Sequence, residues 1–338
     1  MEFSELFDPA QASAWDAFAL GNPGGHVFQT WAWGELCRRE GWGVRRFAVT
    51  TGSRILAAVQ ILRRSRNGFC FWYAPRGPVF HEERALHCLL DRLASLILSR
   101  TALFLKINPG RENTTGLAEL LAGLGFRKVP RRELHVCTYR IDLTQPAEQV
   151  WANFKGNVRT SVRKAEKSGV IVRPEDDEAG LRSFYTVYRT MQGRAAVPPY
   201  DYFQRRWETL APLNRAKVFT ARLDGEPLAA CFLLLHADRA EQMWTAARRL
   251  EGDLGATQLL DWRIIAWLKE RGCPCYDLGG VPPESGKLPG IAAHKKALGG
   301  GFVELIGEYD RPGNRLLYSL WQRFGNSVTA RRISLGKS

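Results

Sequence analysis

A histidine, a pair of lysines and two groups of glycines are gathered between Tyr276 and Phe302, in the stretch YDLGGVPPESGKLPGIAAHKKALGGGF. Asp277, Gly279 and Gly280 close a short apolar run. A loop rich in proline and glycine then leads to His294, Lys295 and Lys296, and Gly299 to Gly301 follow. Glycine at a strand end lets another backbone or a ligand come closer than a Cβ would permit. An ammonium group beside such an opening stabilises negative charge that develops during a reaction. His294 titrates near neutrality and so offers a general base. The same residues would also make an ordinary strand–loop–strand corner with solvated lysines, and the rest of the chain has to decide between the two.

The chain has 338 residues, which suits two domains better than one. Its 48 Lys and Arg exceed 34 Asp and Glu, a net charge of +14 that draws in polyanions such as nucleic acids, nucleotide diphosphates and acidic headgroups. The densest basic run is Lys155 to Lys167, where Lys155, Arg159, Arg163, Lys164 and Lys167 stand against one glutamate. It reads either as a phosphate-binding surface or as a solvated helix linking two halves. Seven scattered cysteines, with only Cys273 and Cys275 close together, give neither a disulfide framework nor a zinc site. A reducing, cytoplasmic compartment and no metal are expected. The acidic N-terminus lacks the pattern of a signal peptide, and the most apolar long stretch, Leu86 to Ile107, carries four charges, too many for a membrane span.

Strands and helices must hold these groups in place. The first half reads as a helix through Trp33 and Cys37 ended by Gly41, then strands over 44–49, 55–62 and 69–73. A helix over 82–98, a strand over 103–107, a helix over 116–124 and a strand over 136–143 complete it. In the second half, strands over 217–223, 227–236 and 241–247 precede a long helix, 256–271, and the strand at Tyr276. Phe47, Leu56, Ala57 and Ala58 recur as Phe219, Leu228, Ala229 and Ala230, each 172 positions later, and the same shift lays Leu103–Pro109 over Cys275–Val281. An antiparallel meander followed by a helix and a strand is the order of an acetyltransferase-type (GNAT-like) α/β fold. Duplicated, it predicts two such domains, 1–144 and 145–316, with a cleft between them and with 317–338 packing back on the first.

Five pieces in order carry a resemblance over nearly the whole chain. They are Phe28-Gln29-Thr30 through Trp33-Gly34 to Gly41-Trp42; Tyr73-Ala74-Pro75-Arg76-Gly77-Pro78; Arg159 to Gly169; Tyr276-Asp277-Leu278-Gly279-Gly280-Val281-Pro282; and His294-Lys295-Lys296-Ala297-Leu298-Gly299-Gly300. Together the chain resembles the Fem-type (FemABX) aminoacyltransferases that build peptidoglycan cross-bridges. The short span from Gly169 to Lys217 leaves no room for the helical arm of some relatives, so the compact branch is implied. The resemblance implies transfer of an amino acid from aminoacyl-tRNA to the stem-peptide amine of a UDP-linked or lipid-linked muramyl peptide. Neither cofactor nor metal is then needed, because the tRNA ester is already activated. Work at the inner face of a membrane, by peripheral contact, fits a lipid-linked acceptor.

Transferred residue by residue, the resemblance implies that Lys295 stabilises the oxyanion formed when the amine attacks the ester. Asp277 either orients the amine or caps a loop, and Gly279 and Gly280 let substrate approach. His294 stands where relatives carry phenylalanine, which argues for packing against the substrate rather than for a base. Cys37 stands where many relatives carry a phosphate-contacting lysine, so Arg38 or Arg39 must substitute. Arg76 is a phosphate contact or a clamp for its turn, and Arg194 falls near the arginine that grips the acceptor diphosphate. Trp31, Trp33, Tyr200 and Trp244 line the sugar–peptide cleft or belong to the core. The run from Lys155 to Lys167 becomes the tRNA-backbone surface. Two rival functions are a coenzyme-A-dependent N-acyltransferase and a tRNA- or RNA-binding protein without activity. The first needs a pyrophosphate loop that Arg249-Leu250-Glu251-Gly252-Asp253-Leu254 only approximates, with Leu254 in place of a small residue.

Overall fold

The computed structural model describes residues 1–66, 69–98, 102–130, 133–191, 197–248, 254–282 and 289–325. The chain divides into two α/β units, one of residues 1–136 with the described residues from 304 onward, the other of residues 137–303.

The strands of the first unit are β1 (Glu2–Glu5), β2 (Gly43–Thr51), β3 (Arg54–Arg66), β4 (Phe69–Ala74), β5 (Val79–Phe80), β6 (Ala102–Ile107) and β7 (Arg127–Lys128). They pair in the order β1-β2-β3-β4-β6, then a strand from far down the chain, Tyr309–Pro312, then β7, with β5 beside β3. Alternation along β2 and β3 sorts side chains to two faces. Phe47, Val49, Val59 and Ile61 meet Leu86, Leu89, Leu90, Leu93 and Ile97 on the long helix Glu83–Leu98. The intervening Ala48 and Ala58 instead meet Trp15 and Trp31, from the helices Ala12–Gly21 and Trp31–Arg39. Small residues on that face leave room for indoles.

Two of the five motif pieces join here. The Gln29 amide donates to the carbonyls of Pro75 (2.8 Å) and Gln60 (3.2 Å), and its oxygen accepts from the Gln60 amide at 2.7 Å. A Cβ on Gly77 would lie 2.6 Å from that side chain, so the YAPRGP turn takes glycine there for closeness alone.

The second unit contains β8 (Cys137–Asp142), β9 (Ile171–Glu175), β10 (Ala216–Leu223), β11 (Glu226–Leu235), β12 (Ala240–Ala247), β13 (Cys275–Val281) and β14 (Gly301–Glu304), in the order β14-β8-β13-β12-β11-β10-β9. The repeat at 172 is present in register as well as in residue type. Phe47 pairs Val59 and Phe219 pairs Cys231; Val49 pairs Ala57 and Ala221 pairs Ala229; and a bulge follows Val49 in one hairpin and Ala221 in the other.

One expectation is corrected. The strand near 136–143 does not complete the first half: β8 runs antiparallel to β13 in the second sheet. The corresponding edge of the first sheet, beside β6, is filled by Tyr309–Pro312, hereafter β15. Each sheet thus draws its strand at this position from chain beyond its own half, and the units divide at 136/137 and 303/304 where the sequence suggested 144/145 and 316/317. An unpaired edge beside a central strand leaves a row of backbone donors and acceptors unmet, which either strand satisfies equally well. After β15, Tyr318 and Trp321 pack on Phe71 and Phe104 of the first unit. Among the described residues no helix is long and apolar enough to cross a membrane.

Candidate active site

The second unit assembles its site where β13 leaves its neighbours. The parallel pairing of β12 with β13 covers only Ala240–Tyr276 and Glu241–Asp277. Immediately beyond, both strands are irregular. On β12, Phe232 of β11 faces Trp244 and Leu233 faces Gln242, so Met243 is an extra residue. On β13, Asp277 faces Arg140 and Gly280 faces Thr138, so Leu278 and Gly279 together oppose Tyr139. Such bulges bend a strand and end its pairing. Gly279 sits at φ +72°, and a Cβ there would lie 2.2 Å from the Gln242 carbonyl oxygen; no other residue type fits.

Asp277, 3% exposed, holds this bend. Its Oδ1 lies 2.5 Å from the Thr138 hydroxyl and accepts from the Gly279 amide at 2.9 Å; its Oδ2 accepts from Arg140 Nε at 2.9 Å. With both oxygens engaged, the carboxylate acts as the clamp of the bulge, the loop-capping alternative of the two the sequence offered.

Lys295 lies on the helix Pro289–Ala297, and its Nζ donates to the Gly280 carbonyl at 3.1 Å. The helix end is fastened to the junction between the helices Ala147–Asn153 and Gly156–Lys167. The Lys155 amide donates to the Ala297 carbonyl at 2.9 Å, and a Cβ on Gly299 (φ +78°) would meet the Asn153 carbonyl oxygen at 2.6 Å. Of the two adjacent lysines, Lys295 is half-buried and Lys296 exposed, so the fold singles out Lys295. Burial pushes the Lys295 ammonium below the ordinary lysine range, with Asp261 and Asp277 opposing it incompletely.

The structure adds two residues that sequence reading missed. Asp261, 1% exposed, sits among Leu259, Leu260, Ile264 and Ile265 on the helix Ala256–Glu270. Its Oδ1 accepts from Gln242 Nε2 (3.0 Å) and the Tyr276 hydroxyl (3.2 Å), and its Oδ2 lies 3.0 Å from His294 Nε2. Gln242 also donates to the Tyr276 hydroxyl, at 3.1 Å. Burial raises the Tyr276 phenol and pushes the nearby Cys231 thiol up to about 12, so both stay neutral. A lone acid on the apolar face of a long helix was the signal available for Asp261.

The other expected residues lie elsewhere. Trp244 joins an aromatic cluster with Tyr202, Phe203 and Phe232. Tyr200 packs on Tyr185 under the Arg182 guanidinium, its hydroxyl 3.4 Å from Glu178. In the first unit, Arg38 is half-exposed, donating to the Val44 carbonyl and facing Glu35, while Cys37 beside it is fully buried. Arg76, at φ +55° and 2% exposed, reaches Asn108 Oδ1 at 3.3 Å and His135 Nε2 at 2.9 Å. Trp31 and Trp33 are core. Along the basic helix Val158, Val162 and Ala165 face inward. Lys155, Arg163, Lys164 and Lys167 are exposed, whereas Arg159 turns back on the carbonyls of Ala152 and Phe154. Arg194 and the Arg249–Asp253 part of the coenzyme-A-type loop lie outside the described residues.

A half-buried ammonium beside a splayed strand end, with an imidazole and a carboxylate next to it, is equipped to stabilise an oxyanion and move a proton. Comparison with known proteins points the same way, one unit at a time. Residues 11–115 match the FemAB family and residues 152–296 match an acetyltransferase (GNAT) domain. The lipid II:glycine glycyltransferase of Staphylococcus aureus (strain MRSA252) is 23% identical over 406 aligned positions, covering 95% of this chain and 96% of the relative. That alignment is longer than the 338-residue chain, so the relative carries insertions. Among solved structures, FemX superposes with a TM-score of 0.83 at 20% identity, covering 96% of this chain and all of FemX. A tandem GNAT protein from the clavulanic acid biosynthesis pathway superposes at 0.56 with 15% identity, over 93% of this chain and 98% of that protein.

Proposed function

We propose that this chain, a Fem-type acyltransferase built from two GNAT-like domains, transfers an amino acid from aminoacyl-tRNA to the stem-peptide amine of a lipid-linked peptidoglycan precursor. The observation that carries the reading is the half-buried Lys295, held against Gly280 where β12 and β13 part. The attacking amine converts the ester carbonyl into a tetrahedral oxyanion. A fixed ammonium in a partly desolvated site stabilises that charge far better than water does. No ATP enters the reaction, because the ester linkage to tRNA already carries the activation. The relatives named for lipid II favour the lipid-linked acceptor over the nucleotide-linked one. The exposed cations Lys155, Arg163, Lys164 and Lys167 offer a face for the tRNA backbone, on a helix whose start is tied to the end of the Lys295 helix.

The test is mass spectrometry of muramyl-pentapeptide acceptors, lipid-linked and UDP-linked, incubated with charged total tRNA. A mass gain equal to one or more amino-acid residues is expected, and Lys295→Ala should lower the rate about 100-fold or more with the fold intact. The GNAT-domain match over 152–296 sustains one other reading, a coenzyme-A-dependent acyltransferase. Acetyl-CoA that raised the melting temperature, with no mass gain from charged tRNA, would favour it.

A further inference from the structure

Lys295 accounts for the oxyanion but leaves the protons of the reaction without a carrier. We propose that His294, oriented by Asp261, is that carrier: it accepts the proton of the attacking amine and returns it to the leaving alcohol. The proposal rests on the acyl-transfer reading above. It departs from the resemblance, in which phenylalanine occupies this position and no base is implied.

The argument starts from a carboxylate that burial makes costly. Asp261 is enclosed by the apolar face of its own helix, and a buried carboxylate persists only when donors fill its oxygens. Gln242 and Tyr276 fill Oδ1, and His294 fills Oδ2 at 3.0 Å. An ionised carboxylate only accepts, so the proton of the neutral imidazole belongs on Nε2 and the basic lone pair on Nδ1. The pair is also aimed. The Nε2 edge lies against a carboxylate 1% exposed, while the histidine side chain as a whole keeps 27% of its surface open. A histidine held at one nitrogen by a carboxylate, in a side chain that is partly open, is the arrangement that orients an imidazole for proton transfer. Lys295 is the next residue on the same helix and draws on the same carboxylate, so ammonium and imidazole stand around one anion. Among the described residues, the other titratable groups around them are Asp277 and Tyr276 on β13, Cys231 on β11 and Glu241 on β12. Asp277 is engaged by Thr138, Arg140 and Gly279, and Cys231 and Tyr276 are held neutral by burial. Of this set, His294 has the chemistry to take up and release a proton near neutral pH.

The step balances within donor and acceptor. The amine nitrogen bonds to the ester carbonyl carbon, the π pair moves to the oxygen facing Lys295, and the proton on nitrogen passes to the imidazole. When the oxyanion collapses, the carbon–oxygen ester bond breaks and the imidazolium protonates the departing oxygen. Amide and free alcohol result, with no further reactant. His294 is the catalytic residue in this scheme and Asp261 the positioning residue.

The experiment measures transfer against pH, from about 5.5 to 9, for the intact protein and for His294→Gln, His294→Phe, Asp261→Asn and Lys295→Ala. The wild-type rate should climb along an acid limb set by the imidazole. His294→Gln keeps a hydrogen bond to Asp261, and His294→Phe restores the residue of relatives. Both should lower kcat about 100-fold and abolish that limb. Asp261→Asn presents an amide donor to Nε2, moving the ring proton to Nδ1; kcat should fall with little change in KM. Thermal melts confirm that each variant is folded. If the wild type transfers, Lys295→Ala does not, and both His294 variants keep kcat within about threefold with the acid limb intact, the histidine has no such role. A wild type inert with every charged tRNA would instead overturn the transfer reading and this proposal together.

Discussion

Each unit places a lysine at the strand that follows its long helix, on it in the first and beside it in the second, and the two are treated in opposite ways. In the first unit, Lys106 of β6 lies 2.9 Å from Asp310 and 3.4 Å from Glu308. Burial pulls its ammonium down, but Asp310 and Glu308 more than compensate, and it ends above the ordinary lysine range. In the second unit, Lys295 is also largely desolvated. Among the described residues no carboxylate forms an ion pair with it, and it ends below that range. The strands differ in the same sense. β6 runs parallel to β4 along its whole length, from Cys70–Ala102 to Ala74–Ile107, whereas β13 leaves β12 after two residues. A duplicated fold has thus closed one copy around a neutralised cation and left the other open around an incompletely compensated one. Such open sites trade stability for function.

The comparison can be broken at three points. Gly279→Ala should have the largest effect. The new Cβ meets the Gln242 carbonyl at a backbone angle that disfavours any side chain, so transfer should be lost and the second unit should lose about 2 kcal/mol or more, read by chemical unfolding. Next, Lys106→Met strands Glu308 and Asp310 without their cation. It should lower stability by about 3 kcal/mol in the first unit and leave the chemical step intact, measured as kcat at saturating substrate. A large fall in kcat would mean that the first unit is not merely structural at this point.

The smallest effect expected on stability is from Lys295→Met, and its sign is opposite. The folded pKa of Lys295 is depressed, so the folded state binds fewer protons than the unfolded state between that pKa and the ordinary lysine value. Its contribution to stability therefore rises with pH across that window and is unfavourable below it. Removing the charge should raise the melting temperature by roughly 2 °C at neutral pH while abolishing transfer. Lys106, with a raised pKa, stabilises at neutral pH and loses that contribution as pH rises through its folded value. A melting temperature lowered by Lys295→Met would erase the contrast between the two lysines.

Much of this was legible in the residues. The repeat of Phe47, Ala57 and Ala58 at Phe219, Ala229 and Ala230 predicted two like hairpins, and the hairpins share register and bulge. Hairpin geometry is written in neighbouring residues, where alternation and turn chemistry act over a few positions. The glycines around Asp277 and the lysine pair marked the site for the same reason, since backbone freedom and charge are properties of single residues. Two things were not legible. Asp261 appeared as one acid in an apolar helix until Gln242, Tyr276 and His294 were seen to converge on it. Arg76 read as a phosphate contact or a clamp for its turn, and nothing in the sequence showed that Gln29 and Gly77 join their two segments to each other.

The sequence by itself determined the duplicated α/β plan, the family likeness and the segment where the candidate site lies, because each rests on local pattern and on residue type. Only the tertiary structure decided which strand completes each sheet. Cys137–Asp142 lies next to the first half in the chain but pairs with β13, and Tyr309–Pro312 returns to β6. Both strands have backbone groups to satisfy, and backbone pairing alone does not tell one edge from the other. The selection lies in contacts such as Thr138 with Asp277, 139 residues apart, which exist only once the sheet has formed.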